Sequence, residues 1–327
     1  LEQNYRSTQT ILDGAMAVIN RNPNRTHKKL FTEKQSGEKI TLFVAADDRE
    51  EAAYVVEAVR QGLRSHKHKP SDFAVMYRTN AQSRLLEEAF RREGINYRLV
   101  GAQRFYGRRE VKDMIAYLRL VSNPKDEISL RRVINLPPRG IGEKTLEKLA
   151  ELARMSELTL GEAVLRLSEP NSAELLTALG REGTRLEQFG KRLAQWRHVA
   201  DNNPPVILFD RIIEDTGYQT YIQDNSEEGQ DRWENVLELR QVVMEYAELP
   251  DFLEAMALVA DQDTLPENVD TPTLLTLHAA KGLEFEHVFI TGLDEMLLPH
   301  SRSRDDPEAL EEERRLLYVG ITRAKKS

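Results

Sequence analysis

The segment LLTLHAAKGLEFEHVFITG, residues 274–292, sets an imidazole (His278), an ammonium (Lys281) and a carboxylate (Glu284) in a polar turn between two apolar runs, Leu274–Leu277 and His287–Thr291. Runs this apolar are buried on both faces of a parallel sheet, so the turn is expected at a sheet edge. Gly282 relieves the turn sterically, while Lys281 suits a phosphate and Glu284 a ribose hydroxyl. The other reading is a solvated turn with one ion pair. In NYRST (4–8), Tyr5 and Arg6 precede Ser7, read as a helix N-cap, so an aromatic face and a guanidinium flank a helix N-terminus, where phosphates bind readily. A capped helix with a packed tyrosine would look the same. In EEERRLLYVGITRAKK (311–326), Leu316, Val319 and Arg323 fall at i, i+3 and i+7, placing Arg323 on an apolar face. A guanidinium there either meets an anion or snorkels to water.

A fourth stretch, LPPRGIGEKTLEKL (136–149), stops one element at Pro137 and Pro138, turns at Gly140 and Gly142, and starts a helix near Lys144 and Thr145. Residues 131–148 carry five basic side chains, Arg131, Arg132, Arg139, Lys144 and Lys148, against the two acidic ones Glu143 and Glu147. That surplus beside a helix N-terminus suits a grip on a nucleic-acid backbone. An ordinary glycine turn between helices is the alternative.

These residues need elements to hold them. From 1 to about 103 the pattern alternates in the α/β manner. An apolar stripe from Ile11 to Ile19 reads as a helix, ITLFVA (40–45) as a strand, Glu50–Leu63 as a helix, FAVMYR (73–78) as a strand, Ala81–Arg92 as a helix and YRLVG (97–101) as a strand. From about 104 to 268 only helical stripes follow: Val111–Val121, Lys144–Met155, Leu158–Leu167, Glu174–Val199, Val206–Thr216, Trp233–Ala247 and Phe252–Val259. The acidic, proline-containing DQDTLPENVDTP (261–272) reads as a linker, after which the buried strands return. The expected organisation is one α/β domain, 1–103 with 269–327, split by a helical insertion, 104–268.

Composition sets the outer bounds. The 327 residues are 40% hydrophobic and 31% charged, with a net charge of −8, which argues against a general nucleic-acid coat but leaves room for a local basic patch. The absence of cysteine excludes a disulfide framework and thiolate metal sites and fits a reducing cytoplasm. No apolar run approaches the ~20 residues that span a bilayer, and LEQNYRSTQT has neither a signal-peptide pattern nor an initiator methionine. A soluble piece of a longer protein is expected.

Taken in order, LEQNYRST, VMYRTNAQSRLLEEAF, INYRLVGAQRFYGRREVKDMIAYLRLVSNP, LPPRGIG, TLHAAKGLEFEHVFITG and EEERRLLYVGITRAKK closely resemble the C-terminal half of the UvrD/Rep/PcrA family of superfamily 1 DNA helicases. The resemblance covers nearly the whole chain; residues 155–265 match in pattern only. It implies a RecA-like parallel-sheet domain of the P-loop NTPase type, but the second of two motor domains, without the phosphate loop: no G-x-x-x-x-G-K-[ST] and no strand ending in an Asp-Glu pair occurs in the chain. ATP with Mg2+ is then the implied cofactor, its metal ligands expected in the N-terminal motor domain. The resemblance implies that Tyr5 stacks on the adenine, that Arg6 and Arg323 reach the γ-phosphate, and that Glu284 holds the ribose. His278, Lys281 and His300 would contact single-stranded DNA. The helical insertion, with Arg139, Gly140, Gly142 and Lys144, would contact duplex DNA. Single-stranded DNA and single-strand/duplex junctions are the implied partners, with the N-terminal motor domain and other repair proteins beside them, and the cytoplasm the implied location. Two rivals stand: a non-catalytic DNA-binding module, and the motor part of an AddA/RecB-type helicase-nuclease.

Overall fold

The computed structural model describes residues 3–23, 30–34, 36–180, 183–260 and 269–327. The chain divides into two compact units, Leu1–Phe105 with Leu265–Ser327, and Tyr106–Thr264. Most of the linker expected at 261–272 lies outside the described residues.

The first unit is α/β. In chain order it has α1 (Gln9–Ile19), α2 (Asp48–Arg64), β1 (Phe73–Tyr77), α3 (Ser83–Arg92) and β2 (Arg98–Val100). The second unit supplies helices only: α4 (Arg109–Ser122), α5 (Glu127–Val133), α6 (Glu143–Met155), α7 (Leu160–Arg166), α8 (Ala173–Leu179), α9 (Gly183–Asn202), α10 (Pro205–Thr216), α11 (Tyr218–Ile222), α12 (Glu227–Met244) and α13 (Leu249–Ala260). The chain returns to the first unit with β3 (Thr273–Thr276), β4 (His287–Ile290) and α14 (Pro307–Ile321). The four strands are all parallel in the order β2-β3-β1-β4. The expected class, a parallel-sheet α/β unit interrupted by helices, is the one observed.

The apolar character of β1 follows from its central place. Phe73, Val75 and Tyr77 face α2 and α3, packing with Val55, Val59, Leu86 and Phe90. Ala74 and Met76 face the opposite side, with Leu277, Ala280, Phe285, Leu298 and Leu316. A strand covered on both faces cannot show polar alternation. On that second face α14 lies close to the sheet at Gly320, where a Cβ would come within 2.5 Å of Leu277 Cδ2 and 3.1 Å of Ile290 Cδ1.

Several expectations change. ITLFVA is no strand: no ladder bonds hold it among the described residues, and Leu42 and Val44 stand exposed, Val44 at 82%. Its alternation is that of a half-buried strand, but its contacts are with helices. Ile40 abuts Gly14 of α1, and the Phe43 ring stacks on Tyr54 of α2 with centroids 3.9 Å apart. The stripe read as one helix over Glu174–Val199 is two, α8 and α9, with Gly180 at φ +67° after the first. The short helices α5 and α11 carry too few turns for periodicity to reveal. Among the described residues, no helix is long and apolar enough to cross a membrane.

Candidate nucleotide and nucleic-acid sites

The NYRS turn is built by Asn4, whose side-chain oxygen accepts from the backbone N–H groups of Arg6 (2.8 Å) and Ser7 (2.9 Å). Ser7 is not the N-cap. Thr8 occupies that position, and the buried Ser7 hydroxyl donates to the Ala324 carbonyl at 2.6 Å. That bond fastens the start of the chain to the turn beyond α14. The same turn explains a second correction: α14 stops at Ile321, with Thr322 as its C-cap, so Arg323 is not on the helix face that its spacing suggested. After it the chain runs beside the segment leading into β4, with Phe285 N–H donating to Arg323 O (3.1 Å) and Lys325 N–H to Phe285 O (2.9 Å).

This arrangement gathers Arg6, Glu284 and Arg323. The Arg6 guanidinium bonds Glu284 and donates to the Thr322 carbonyl at 3.2 Å, while its buried Nε has no hydrogen-bond partner. Arg323 is held by the carbonyls of Val319 (3.1 Å) and Leu283 (3.4 Å) and by the Thr322 hydroxyl (3.1 Å). Lys325, which the sequence reading did not single out, brings its ammonium to 3.9 Å from the second oxygen of Glu284. The same ammonium lies 3.5 Å from Glu286 as well. Arg6 thus bonds Glu284 directly, and the charges of Lys325 and Arg323 act on the same carboxylate from nearby. Electrostatics agree: hydrogen bonding to Arg6, with the charges of Arg6, Lys325 and Arg323, outweighs burial and holds the Glu284 carboxyl below its ordinary range. Burial and the like charge of Arg6 lower Arg323 against the opposing pull of Glu284 and Tyr318. An additional anion would offset the lowering of Arg323 and compete with Glu284 for Arg6. Tyr5 stands beside this cluster in sequence with 75% of its surface exposed, its hydroxyl donating to Gln3 at 2.7 Å.

His278 and Lys281 are exposed on the turn that follows β3, where Thr276 Oγ1 accepts from Ala279 N–H at 3.2 Å and Gly282 takes φ +92°. The turn does sit at a sheet edge, the one formed by the carboxyl ends of the parallel strands, the usual place for ligand sites in such sheets. β3 and β4 are not neighbours, because β1 lies between them, so residues 277–286 carry the chain back to the opposite edge. His300 follows β4 and is mostly buried, at 8% exposure, its ring Nδ1 accepting from Arg302 N–H at 3.4 Å. The exposed members of its turn are Ser301, Arg302 and Arg304.

In the helical unit the glycine turn differs from the expectation in one respect. Arg139 turns inward: Nη1 donates to the carbonyls of Val133 (2.8 Å) and Ile134 (3.0 Å), Nη2 to the Tyr117 hydroxyl (2.7 Å), and the guanidinium lies 5.2 Å from the Phe189 ring centre. It closes the end of α5 in place of facing a ligand. Arg131 pairs with Glu143 at 3.1 Å and Arg132 with Asp113 at 2.6 Å. Lys144 and Lys148 remain exposed, with no carboxylate paired to either among the described residues. Gly140 has φ +69°, and its carbonyl accepts from Arg185 at 2.7 Å. Gly142 is the N-cap of α6, no side chain caps it, and a Cβ there would meet nothing within 4 Å.

Comparison with known proteins places these features. The sequence profile of the UvrD-like helicase C-terminal domain matches residues 1–327. The chain is 41% identical over 337 aligned residues to the ATP-dependent DNA helicase PcrA of Bacillus subtilis, an alignment covering 99% of this chain and 45% of that protein. It is 40% identical to PcrA of Leuconostoc citreum and to DNA helicase II of Haemophilus influenzae, in each case over 100% of this chain and 45% of the relative. The chain therefore spans less than half the length of the curated relatives it matches. It belongs to the UvrD-like helicase C-terminal domain family.

Proposed function

We propose that this chain is the second motor domain, with its helical insertion, of an ATP-dependent DNA helicase that couples ATP hydrolysis to movement along single-stranded DNA and to duplex unwinding. The observation that carries this reading is the bond of Arg6 to Glu284 with the Nε of Arg6 left buried and unbonded, and Arg323, from the opposite end of the chain, near enough for the charges of both to act on it. Such a cluster fits a polyphosphate. In the proposed cycle Arg6 exchanges Glu284 for a phosphate oxygen, and the freed carboxylate accepts from the ribose hydroxyls. Tyr5 offers its exposed ring to the base. Arg323, already fixed by three acceptors, needs little reorganisation to meet charge developing on the transferring phosphoryl group.

Magnesium is proposed to be held elsewhere in the longer protein, since no three His, Asp or Glu side chains converge on a common point among the described residues. His278 and Lys281, on one sheet-edge turn, are assigned to the single strand together with the His300 turn. Lys144 and the uncapped amides of α6 are assigned to duplex phosphates, with Gly140 shaping their approach. Arg139 supports that turn from inside.

The test uses the full-length protein. Turnover of ATP is expected to rise on adding single-stranded DNA, and a tailed duplex to be unwound. Residues 1–327 alone are expected to hydrolyse no ATP above background, because they contain no phosphate loop. A full-length protein whose turnover ignores DNA would end this reading.

A further inference from the structure

Glu313, on the second turn of α14, is a side chain that the proposed sites do not use. It is buried, at 5% exposure, and its carboxylate is engaged by three residues from two separate parts of the chain. Arg78, immediately after β1, donates through Nε to both oxygens at 3.1 Å and through Nη2 to one at 2.9 Å. The backbone N–H of His300 donates at 3.1 Å, and the Ser303 hydroxyl at 3.4 Å. Burial alone would raise this carboxyl, but the hydrogen bond and charge of Arg78, together with His300, hold it below the ordinary range, so it stays ionised.

We propose that Glu313 is a positioning residue, fixing the His300–Arg304 turn to α14 so that the turn and Arg323 answer to one rigid element; this rests on the helicase reading above. The geometry separates it from an ordinary buried ion pair. A pair needs one cation. Here the carboxylate also accepts from the amide that opens the turn, at 3.1 Å, so the same side chain binds the turn's backbone as well as the cation. α14 is in turn pressed to the sheet at Gly320, against Leu277 and Ile290. Glu313 lies eight residues before the end of α14 at Ile321, about 12 Å along the helix, and Arg323 just beyond that end is tied to the last turn by its Nε donating to Val319 O at 3.1 Å. A shift of α14 that accompanies phosphate contact at Arg323 therefore carries the turn with its exposed Arg302 and Arg304. That is a two-site linkage with a named mechanical element, and it predicts coupling of the usual size.

The experiment compares full-length wild type with Glu313→Gln and Arg78→Lys, measuring ATP turnover against oligothymidylate concentration, the KM for ATP, and thermal melting. Glu313→Gln turns one acceptor into an NH2 donor and cannot serve both Arg78 and the His300 amide. Its half-saturating oligothymidylate concentration is expected to rise about tenfold, while the KM for ATP stays within about twofold. Arg78→Lys keeps a cation beside the carboxylate and leaves the His300 bond intact, so it should lower the melting temperature with little change in the DNA response. If Glu313→Gln fails to fold, Glu313→Asp, which draws the charge back by one methylene, carries the same expectation. Wild type that responds to DNA, with a folded Glu313 variant responding at the same concentrations, overturns this inference and leaves the helicase reading standing. Equal DNA shifts in the Glu313 and Arg78 variants also overturn it, because an ion pair alone would then suffice. Wild type with no response to DNA refutes the helicase reading and the inference with it.

Discussion

The molecule carries two arginine-rich turns that look alike in sequence and differ in their balance of charge. In the α/β unit, Arg6 bonds the Glu284 carboxylate and keeps one buried N–H unbonded, while Arg323 is held by two carbonyls and a hydroxyl and pairs with no carboxylate among the described residues. In the glycine turn of the helical unit, Arg139 meets two carbonyls and a hydroxyl, Arg131 and Arg132 meet carboxylates, and Lys144 and Lys148 stay exposed. The first turn is short of negative charge and the second is complete. Hydrogen bonds alone do not separate Arg323 from Arg139, since each has two carbonyls and a hydroxyl; what marks the first turn is its excess of cations and the buried N–H of Arg6 left without an acceptor, which an anion would meet.

The largest effect that would break this contrast is expected at the first turn. In the full-length protein, on the proposed reading, Arg323→Ala should lower ATP turnover by roughly 10³-fold, as loss of an arginine that meets transition-state charge does elsewhere. Arg6→Ala should act similarly, and it frees Glu284, so nucleotide binding should weaken as well. Steady-state kinetics separate the roles. Unchanged turnover with a raised KM at Arg323 would mean that it binds the ground state only, and the charge imbalance would lose its catalytic meaning.

At the second turn the effect of removing arginine should be on stability. Arg139→Ala deletes three hydrogen bonds from a charged donor, the Val133 carbonyl alone keeping a bond from the Leu136 N–H, and should cost about 3 kcal/mol, or roughly 10 °C in the melting of this unit. Duplex binding by whatever remains folded should be unchanged. A variant that melts like wild type but has lost duplex affinity would show that Arg139 leaves its carbonyls for DNA, and the two turns would then be of one kind.

Much of this was legible beforehand, and the misses have physical causes. The buried strands FAVMY and TLLT announced themselves because burial on both faces demands unbroken apolar runs, and the conjunction of Arg6, Glu284 and Arg323 followed from motif resemblance. Spacing alone misplaced Arg323, since a helical period says nothing about where α14 stops. ITLFVA misled because alternation measures which side chains want cover and not what covers them; here helices take the place of a neighbouring strand. Arg139 misled for a related reason: a charge count over 131–148 cannot tell a guanidinium that faces solvent from one that caps a neighbouring helix. Glu313 was invisible in a run of three glutamates, EEE, where only the fold distinguishes the buried Glu311 and Glu313 from the exposed Glu312, and Glu313 from Glu311 by its partners.

The smallest expected effect gives the sharpest view of the second turn, and it comes from its two glycines. At Gly140 a side chain meets φ +69° and a Cβ 2.5 Å from an Arg185 nitrogen, so Gly140→Ala should destabilise the unit whatever the turn does. Gly142 has an ordinary φ of −91° and open space around its missing Cβ. Gly142→Ala should therefore cost about 1 kcal/mol or less, the ordinary penalty for alanine at an N-cap. If the open space is where a phosphate approaches the first amides of α6, the added methyl should still weaken binding to a single-strand/duplex junction several-fold. Lys144→Ala, at an exposed position, should leave stability unchanged and reduce the salt slope of that binding by about one. Single-strand-stimulated turnover should survive both changes, since it is assigned to the other unit. Anisotropy titrations of the full-length protein at several salt concentrations read all of this at once. A Gly142→Ala protein that binds junctions like wild type, alongside a Lys144→Ala protein with an unaltered slope, would reduce the turn to a connection between α5 and α6 and leave the α/β unit as the only part of this chain with a ligand to meet.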